Sequence, residues 1–430
     1  MKVLIVSHVP VSTYEAMGIT FCSLFKSFKK EELCQLYFYP SVPDIDICNS
    51  YYQITDYDLL HSLFLINVKG REVKANLNLH KLYANEKDAE RFTKTNNHQP
   101  AKMILRDFLW SKSKVITPNL NNWILREKPT CIFVAPGGYS FTYDIASSLS
   151  KIFKLPIVSY VCDEYYFVKK QKGILWNYHQ KKLSDSMEHF FEKTNHIVGI
   201  CDEITDIYHE YFKCEATTIC TGSRIKRNLE IADSPLESPS IISYFGNIVG
   251  YKRYKSLIDV GKCLEEINAE CDTRYLLNVY SGDTDEKIIN ELTSIKTIKF
   301  KGYVSGQTFE ELFSSADLLL HVEAFDSDTK EQVKNSVSTK IADSLASGNC
   351  LVAYGPEGIA SINHLKRNNC AFVATNYKEL KAALELAFSN DALRSKVKQT
   401  ALDVANEYHN SEKNSKELWK IFAQYGGKGK

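Results

Sequence analysis

The fold of this chain is decided by residues 338–356, which read Ser-Thr-Lys-Ile-Ala-Asp-Ser-Leu-Ala-Ser-Gly-Asn-Cys-Leu-Val-Ala-Tyr-Gly-Pro. Ser338 can cap the start of a helix, because its hydroxyl can accept a hydrogen bond from a free backbone N–H group. Ile341 and Leu345 lie four residues apart and form one apolar face of that helix. Asp343 lies off this face, so we expect its carboxylate to point outward.

The same stretch carries the residue types of a phosphate and sugar site. Gly348 is predicted to end the helix, and the apolar run 351–354 is predicted to form a buried strand. The free N–H groups at the helix start favour an anion, and Lys340 adds a positive charge beside them. Asp343, one turn further in, can accept two hydroxyls of a ribose. The pattern therefore predicts a nucleotide-sugar site.

This stretch resembles the donor-binding segment of retaining GT-B glycosyltransferases in the broad family 4 group. Those enzymes usually show Glu-x7-Glu followed by Ala-Met-Ala-x-Gly-x-Pro-Val, and residues 343–348 match the second acid and the residues directly after it. The similarity is closest to bacterial enzymes that build capsular or other surface polysaccharide repeats. It spans nearly the whole chain but is strong only in 241–260 and 316–358. The resemblance implies an α/β fold of the GT-B type, with two Rossmann-like domains facing across a cleft.

Composition limits the class of protein. At 430 residues the chain exceeds the usual size of a single core, so two domains are expected. The net charge of +1 argues against bulk attraction to nucleic acid, which is not expected as a partner. The apolar runs are too short for a membrane span, and residues 1–7 are predicted to be a first strand. Twelve scattered cysteines without a Cys-x-x-Cys pair favour a reducing cytoplasm and argue against zinc.

Strand–helix alternation divides the chain into two parts. The polar, proline-containing segment 226–240 is predicted to be a linker. Residues 1–225 would form an acceptor-side domain, which the resemblance joins to a C-terminal helix in 409–430, and 241–408 would bind the nucleotide sugar. Residues 43–130 are expected to hold several helices. The predicted strands are 3–6, 35–39, 131–135, 156–161, 196–200, 217–220, 241–245, 275–280, 298–300, 318–322, 351–354 and 371–373.

The second part opens with a glycine-rich turn that suits a phosphate. Gly246 lets a ligand approach the backbone closely, and Arg253 and Lys255 open the next helix. Relatives commonly place an arginine where Asn247 stands, so the resemblance moves the diphosphate role to Arg253. A solvated basic turn is the alternative. The donor-binding residues predicted from this turn, from the helix above and from a base-contacting turn after a strand are Gly246, Asn247, Arg253, Lys255, Tyr303, Val304, Ser338, Thr339, Lys340 and Asp343.

Three residues are candidates for the first acid of the donor motif. They are Glu323, Asp326 and Glu331, and Glu323 is favoured because it ends a predicted strand, where open α/β sheets place ligands. By the resemblance Glu323 would hold the transferred sugar. Asp-x-Asp also occurs at 44–46, 56–58, 283–285 and 326–328, and four matches in one chain argue against a metal role for any of them. No metal or cofactor is expected, since the nucleotide sugar is a substrate and basic groups can stabilise its diphosphate.

The first part offers four residues for the acceptor side. Asp163 and Glu164 follow a predicted strand, where relatives often carry a His-Asp pair, and either carboxylate could orient a hydroxyl or take its proton. The alternative for them is a helix cap. His8 ends the first strand and Gly18 follows in the next loop, near which similar enzymes hold the acceptor. A structural histidine is the alternative for His8.

Basic residues in 102–128 alternate with Trp110 and Trp123, a combination that can hold a protein at an anionic membrane surface. An ordinary solvated pair of basic helices is the alternative.

The expected function is transfer of a sugar from a nucleoside-diphosphate sugar to a hydroxyl of a glycan or lipid-linked acceptor, with retention, in polysaccharide or glycoconjugate assembly. The expected location is the cytoplasm, and the inner face of the membrane is the alternative location. A GT-B-like nucleotide-sugar epimerase and a catalytically inactive GT-B binding module are the alternatives.

Overall fold

The structure is a computed structural model. It describes residues 1–62, 70–77, 100–112, 115–167, 173–225, 236, 239–304 and 306–427. The chain divides into two compact units, one of residues 1–220 with 411–430 and one of residues 221–410. Most of the predicted linker lies outside the described residues.

The first unit is built on one sheet. Its strands in chain order are β1 (Val3–Ser7), β2 (Leu33–Tyr37), β3 (Ser50–Gln53), β4 (Arg71–Val73), β5 (Cys131–Ala135), β6 (Ile157–Val161), β7 (His196–Gly199) and β8 (Ala216–Thr218). They lie in the order β4-β3-β2-β1-β5-β6-β7-β8, and each described pair is parallel except β3 with β4. Strands β1, β5 and β6 are buried at each position, as parallel strands covered by helices on both faces should be.

The helices of this unit connect the strands. They are α1 (Ala16–Leu24), α2 (Asp56–Ser62), α3 (Pro100–Lys112), α4 (Pro118–Glu127), α5 (Ser140–Phe153), α6 (Ile174–Phe191) and α7 (Asp202–Phe212). Among the helices that the structure describes, none has the length and apolar character needed to cross a bilayer.

The second unit is built on a six-stranded parallel sheet. Its strands are β9 (Ser240–Phe245), β10 (Tyr275–Tyr280), β11 (Ile298–Gly302), β12 (Leu318–Val322), β13 (Cys350–Tyr354) and β14 (Phe372–Ala374). Their order is β11-β10-β9-β12-β13-β14, so the direction of winding reverses between β9 and β12. The helices are α8 (Arg253–Glu270), α9 (Glu286–Thr293), α10 (Gly306–Ser314), α11 (Ser327–Val333), α12 (Thr339–Ala346), α13 (Ala360–Arg367), α14 (Tyr377–Ser389) and α15 (Asp391–Tyr408).

The last helix, α16 (Ser411–Gly426), returns to the first unit. The Ser23 hydroxyl donates to the Ser411 hydroxyl over 3.1 Å, and the Asn414 side chain donates to the carbonyl of Cys220 over 2.8 Å. The ring of Phe422 lies 5.9 Å from that of Phe133 in β5. The helix is therefore held to this unit by both polar and apolar contacts.

The predicted alternation of strands and helices in two parallel-sheet domains is confirmed. Within 43–130, where several helices were predicted, the structure also has β3 and β4, which the sequence pattern did not indicate. β3 reads Ser-Tyr-Tyr-Gln and β4 reads Arg-Glu-Val, so neither shows the apolar run that marks a buried strand. β4 pairs only with β3 at the edge of the described sheet, where polar residues protect a strand from further pairing.

Candidate functional site

The winding reversal between β9 and β12 brings two loops together at the carboxyl end of the second sheet. In such sheets this is the position at which ligands bind. The loop after β9 begins at Gly246, whose φ of 155° suits glycine and few other residues. The loop after β12 begins at Glu323, whose backbone N–H donates to the carbonyl of Tyr354 over 2.9 Å.

Arg253 and Glu323, predicted separately for the diphosphate and the sugar, form a buried ion pair. The Arg253 Nη2 donates to Glu323 Oε2 over 3.0 Å and its Nε donates to the same oxygen over 3.2 Å. On the other side of the carboxylate, the Nε2 of His321 lies 3.1 Å from Oε1. Burial alone would raise the pKa of Glu323, but the adjacent His321 ring and the charge of Arg253 outweigh it and lower that pKa. Glu323 is therefore a buried carboxylate that stays ionised.

Lys340 is a largely buried amine with no opposite charge bonded to it among the described residues. A Cβ placed on Gly246 would lie 2.2 Å from the Lys340 Nζ, so the amine lies directly over the glycine. Within the part of the chain that the structure describes, this Nζ has no hydrogen-bond or ion-pair partner. Burial, followed by the charges of Arg253 and Arg224, lowers the pKa of Lys340 from 10.5 to about 8. An anion at this point would relieve the repulsion among three cations.

The start of α12 differs from the prediction in one respect. Ser338 stands at the N-cap position, but its side chain makes no capping hydrogen bond, so the predicted hydroxyl cap was wrong. Its backbone N–H donates instead to the Ser361 hydroxyl over 3.0 Å, and its carbonyl accepts from the N–H of Ile341 over 3.0 Å. Thr339, the first helical residue, is exposed. Because the N-cap side chain does not cap this turn, its positive end is left for a ligand or solvent.

The expectation that Asp343 points outward was wrong, since this residue is only 3% exposed. Its carboxylate pairs with Arg224, whose Nη2 donates to Oδ2 over 2.7 Å. Sequence reasoning missed Arg224, which lies 119 residues away in a polar segment without a motif. It also missed His321, which lies inside a strand that reads as apolar.

The remaining donor-side candidates are arranged differently. Asn247 connects its own loop to the loop after β10, because its side chain accepts from the N–H of Gly250 and donates to Asp283. Lys255 is exposed, two residues after Arg253 and hence on another side of α8. Val304 is half-buried, and Tyr303, at 74% exposure, is available to a ligand but is not enclosed by protein. Gly246, Arg253 and Lys340 therefore form the part of the predicted donor site that the structure brings together.

In the first unit His8, Asp163 and Glu164 lie just beyond the carboxyl ends of central strands, whereas Gly18, predicted in a loop, lies inside α1. His8 follows β1, with its ring 4.9 Å from that of Tyr139 and 5.4 Å from that of Tyr39. Its Nδ1 is buried without a hydrogen-bond partner among the described residues. Burial, with the charge of Arg106, lowers the pKa of His8 well below its usual value, so the ring is neutral. At Gly18 a Cβ would lie 2.2 Å from the Ser12 hydroxyl oxygen, which explains the glycine by packing.

The two acidic candidates after β6 differ from each other. Asp163 is exposed and accepts from the Tyr165 hydroxyl over 3.3 Å. Glu164 is buried, and its Oε1 accepts from the N–H groups of Tyr166 and Phe167, each over 2.8 Å. Glu164 therefore holds the loop in shape but does not cap a helix, the alternative given for it, because the next described helix, α6, begins at Ile174. Asp163 remains accessible to an acceptor.

The structure gives local partners to residues of the Asp-x-Asp matches. Asp285 and Asp326 cap helices α9 and α11, and Asp56 accepts from Arg106 and Trp110. Trp110 and Trp123 are buried, at 2% and 1% exposure, so the interpretation in which these tryptophans contact a membrane was wrong.

Comparisons with known proteins address the fold. No protein-family model matches the sequence, and no curated protein matches it. Among solved structures, the chain is similar to HepE from Anabaena in complex with UDP, with 10% identity, a TM-score of 0.63 and coverage of 99% of this chain and 100% of that one. HepE has also been solved with UDP-glucose.

Two further structures are similar over their full length. Sucrose-phosphate synthase from Thermosynechococcus elongatus shares 9% identity at a TM-score of 0.62, with 99% of each chain covered. The α,α-trehalose-phosphate synthase (UDP-forming) from Burkholderia xenovorans, in complex with glucose-6-phosphate, shares 10% identity at a TM-score of 0.58, with 98% of this chain and 99% of that one covered. The similarity extends over both units, and this chain therefore has the GT-B fold of these glycosyltransferases.

Proposed function

We propose that this chain is a glycosyltransferase that moves a sugar from a nucleoside-diphosphate sugar to an acceptor hydroxyl. The observation that carries the proposal is the Lys340 amine, which lies over Gly246 near Arg253 without a bonded counter-charge among the described residues. A diphosphate would supply that counter-charge, and an uncapped helix start beside it adds to the attraction. HepE, which has the same fold, binds UDP and UDP-glucose.

The proposed chemistry is stabilisation of a leaving diphosphate. When the bond between the sugar's anomeric carbon and the diphosphate breaks, its electron pair moves onto a phosphate oxygen. Lys340 and Arg253 are fixed cations that stabilise this charge without rearranging, which is an effective form of electrostatic catalysis. The acceptor oxygen forms the new bond, and its proton passes to a base. We assign Asp163 and His8 to the acceptor side because both follow central strands of the first sheet, His8 after β1 and Asp163 after β6.

Glu323 has a supporting role in this proposal. Both of its oxygens accept from Arg253, Oε2 from Nε and Nη2 and Oε1 from Nη2 over 3.3 Å, so Glu323 holds Arg253 in place as well as facing the sugar. A carboxylate that fixes an arginine by a fork of two N–H groups gives the guanidinium a defined direction.

The finer parts of the proposal rest on the sequence resemblance. They are retention of the anomeric configuration, a glycan or lipid-linked acceptor, and a role in surface polysaccharide assembly. A cytoplasmic location is proposed from the twelve scattered cysteines instead. Contact with a membrane finds more support in α3 than in the tryptophans, because Leu105 and Phe108 are 67% and 56% exposed on that helix and Lys102 is exposed one turn before Leu105.

The test is incubation with UDP-, GDP- and ADP-glucose, with and without candidate acceptors. A transferase releases nucleoside diphosphate slowly alone and faster with an acceptor. An epimerase turns over fully without an acceptor and yields an isomerised sugar, and a binding module releases nothing. We expect Lys340→Gln to lose both release and diphosphate binding, and the exposed Lys262→Gln on α8 to keep both. Failure of the folded wild type to bind any of the three diphosphates would refute the proposal.

A further inference from the structure

Asp343 is saturated by a single neighbouring segment of the chain. Its Oδ2 accepts from the Nε and the Nη2 of Arg224, over 3.0 and 2.7 Å. Its Oδ1 accepts from the backbone N–H of Arg224 over 2.8 Å and from the Ser223 hydroxyl over 3.1 Å. A carboxylate has about four acceptor positions, and here four donors occupy them. The two hydroxyls of a ribose would therefore find no acceptor on Asp343 unless Arg224 moved away.

The same contact places a third cation at the site. Asp343 lies three residues after Lys340, so the carboxylate that holds Arg224 is on the same side of α12 as Lys340. Arg224 is among the charges that lower the pKa of Lys340, as expected at short range. The side chain of Arg224 is 47% exposed, in contrast to the 4% of Asp343, so the arginine can meet a ligand that the carboxylate cannot reach.

Arg224 and Arg253 are held in the same way. Each uses its Nε and Nη2 to bind a buried carboxylate, Asp343 in one case and Glu323 in the other. In both, Nη1 makes no hydrogen bond among the described residues. An arginine bound along one edge keeps the remaining donors for a second anion, and phosphate oxygens suit that geometry.

We propose that Arg224 is a third cationic ligand of the diphosphate, together with Arg253 and Lys340, and that Asp343 positions Arg224 instead of binding the ribose. The inference rests on the proposed function, because it concerns the same anion site. It replaces the role that the resemblance gives to Asp343, and it follows from the four bonds to this carboxylate in the present chain.

Inorganic pyrophosphate is the probe that tells whether Asp343 positions Arg224 or binds the ribose, because it carries no ribose. Its affinity for the full chain is measured by calorimetry for wild type, Asp343→Asn, Arg224→Ala and the double variant. Since charge-assisted hydrogen bonds contribute about 1.5–3 kcal/mol, we expect each single change to weaken pyrophosphate by about ten- to a hundredfold. The double variant should be no weaker than Arg224→Ala alone, because Asp343 acts only through Arg224.

Arg367→Ala, an exposed arginine at the end of α13, is the matched control and should bind as wild type does. The double variant also covers the case in which a single change unfolds the protein, because removing both charges leaves no unpaired buried ion.

The proposal is overturned if Arg224→Ala and the double variant bind pyrophosphate as tightly as wild type. It is also overturned if Asp343→Asn leaves pyrophosphate unchanged but weakens UDP, GDP or ADP, which is the outcome for a ribose ligand. If the folded wild type binds neither pyrophosphate nor any of these nucleotides, the proposed function fails and this inference fails with it.

Discussion

Replacing Lys340 by methionine should make the protein more stable while it removes phosphate binding. The folded protein lowers the pKa of this amine from 10.5 to about 8, so the protonated form is disfavoured by folding. That difference corresponds to about 3 kcal/mol at neutral pH, which is an upper value because the side chain is not fully enclosed. Lys340→Met shortens the unbranched side chain by one atom and removes the charge, so it should gain part of this free energy at pH 7.

The sign of the pH dependence comes from the same difference. Between pH 8 and 10.5 the unfolded chain binds more protons at this lysine than the folded chain does. Wild-type stability should therefore rise with pH in that window, and the advantage of Lys340→Met should shrink there. Pyrophosphate affinity of the wild type should fall about tenfold per pH unit above 8, because only the protonated amine attracts the anion.

Urea denaturation at pH 7, 8 and 9 measures the stability, and calorimetry at the same pH values measures the affinity. Lys262→Met, on the exposed face of α8, controls for loss of any surface lysine. The reasoning is refuted if Lys340→Met is less stable than wild type at pH 7, or if its pyrophosphate affinity equals that of the wild type.

Three further predictions use matched positions. Gly246→Ala should weaken pyrophosphate binding, because its Cβ would lie 2.2 Å from the Lys340 amine. Gly358→Ala, with positive φ but open space around the Cβ, should only lose about 1 kcal/mol of stability. Equal pyrophosphate affinities of the two variants by calorimetry would contradict this. Ser338→Ala should lower the free energy of unfolding, measured by urea denaturation, by less than about 0.5 kcal/mol, because its side chain makes no capping bond. Asn376→Ala, whose side chain does cap α14, should lower it by about 1 kcal/mol. A larger loss of stability at Ser338 than at Asn376 would contradict the observed cap geometry. Glu323→Gln should lose about 3 kcal/mol because it leaves a buried guanidinium unpaired, and a loss below about 1 kcal/mol would show that solvent reaches the pair.

Much of the fold could be predicted because it depends on local pattern. Strands such as β1 and β12 are runs of apolar residues, and parallel strands covered on both faces require such runs. The glycine after β9 and the basic start of α8 could also be predicted, since a close approach of backbone to ligand needs glycine whatever the rest of the chain does. β3 and β4 could not, because their polar composition reflects a position near the sheet edge.

The chain alone determined that Gly246, Arg253 and Lys340 have the types of residue that hold a phosphate, and that repeated strands and helices would form two parallel sheets. Only the tertiary structure decided which charges neutralise one another. Arg224 and Asp343 are 119 residues apart, and nothing in local spacing connects them. An ion pair forms where folding brings two charges within a few ångströms and removes the water between them. Which described residues pair therefore depends on the packed protein, and so does the finding that the Lys340 amine has no ion-pair partner among them.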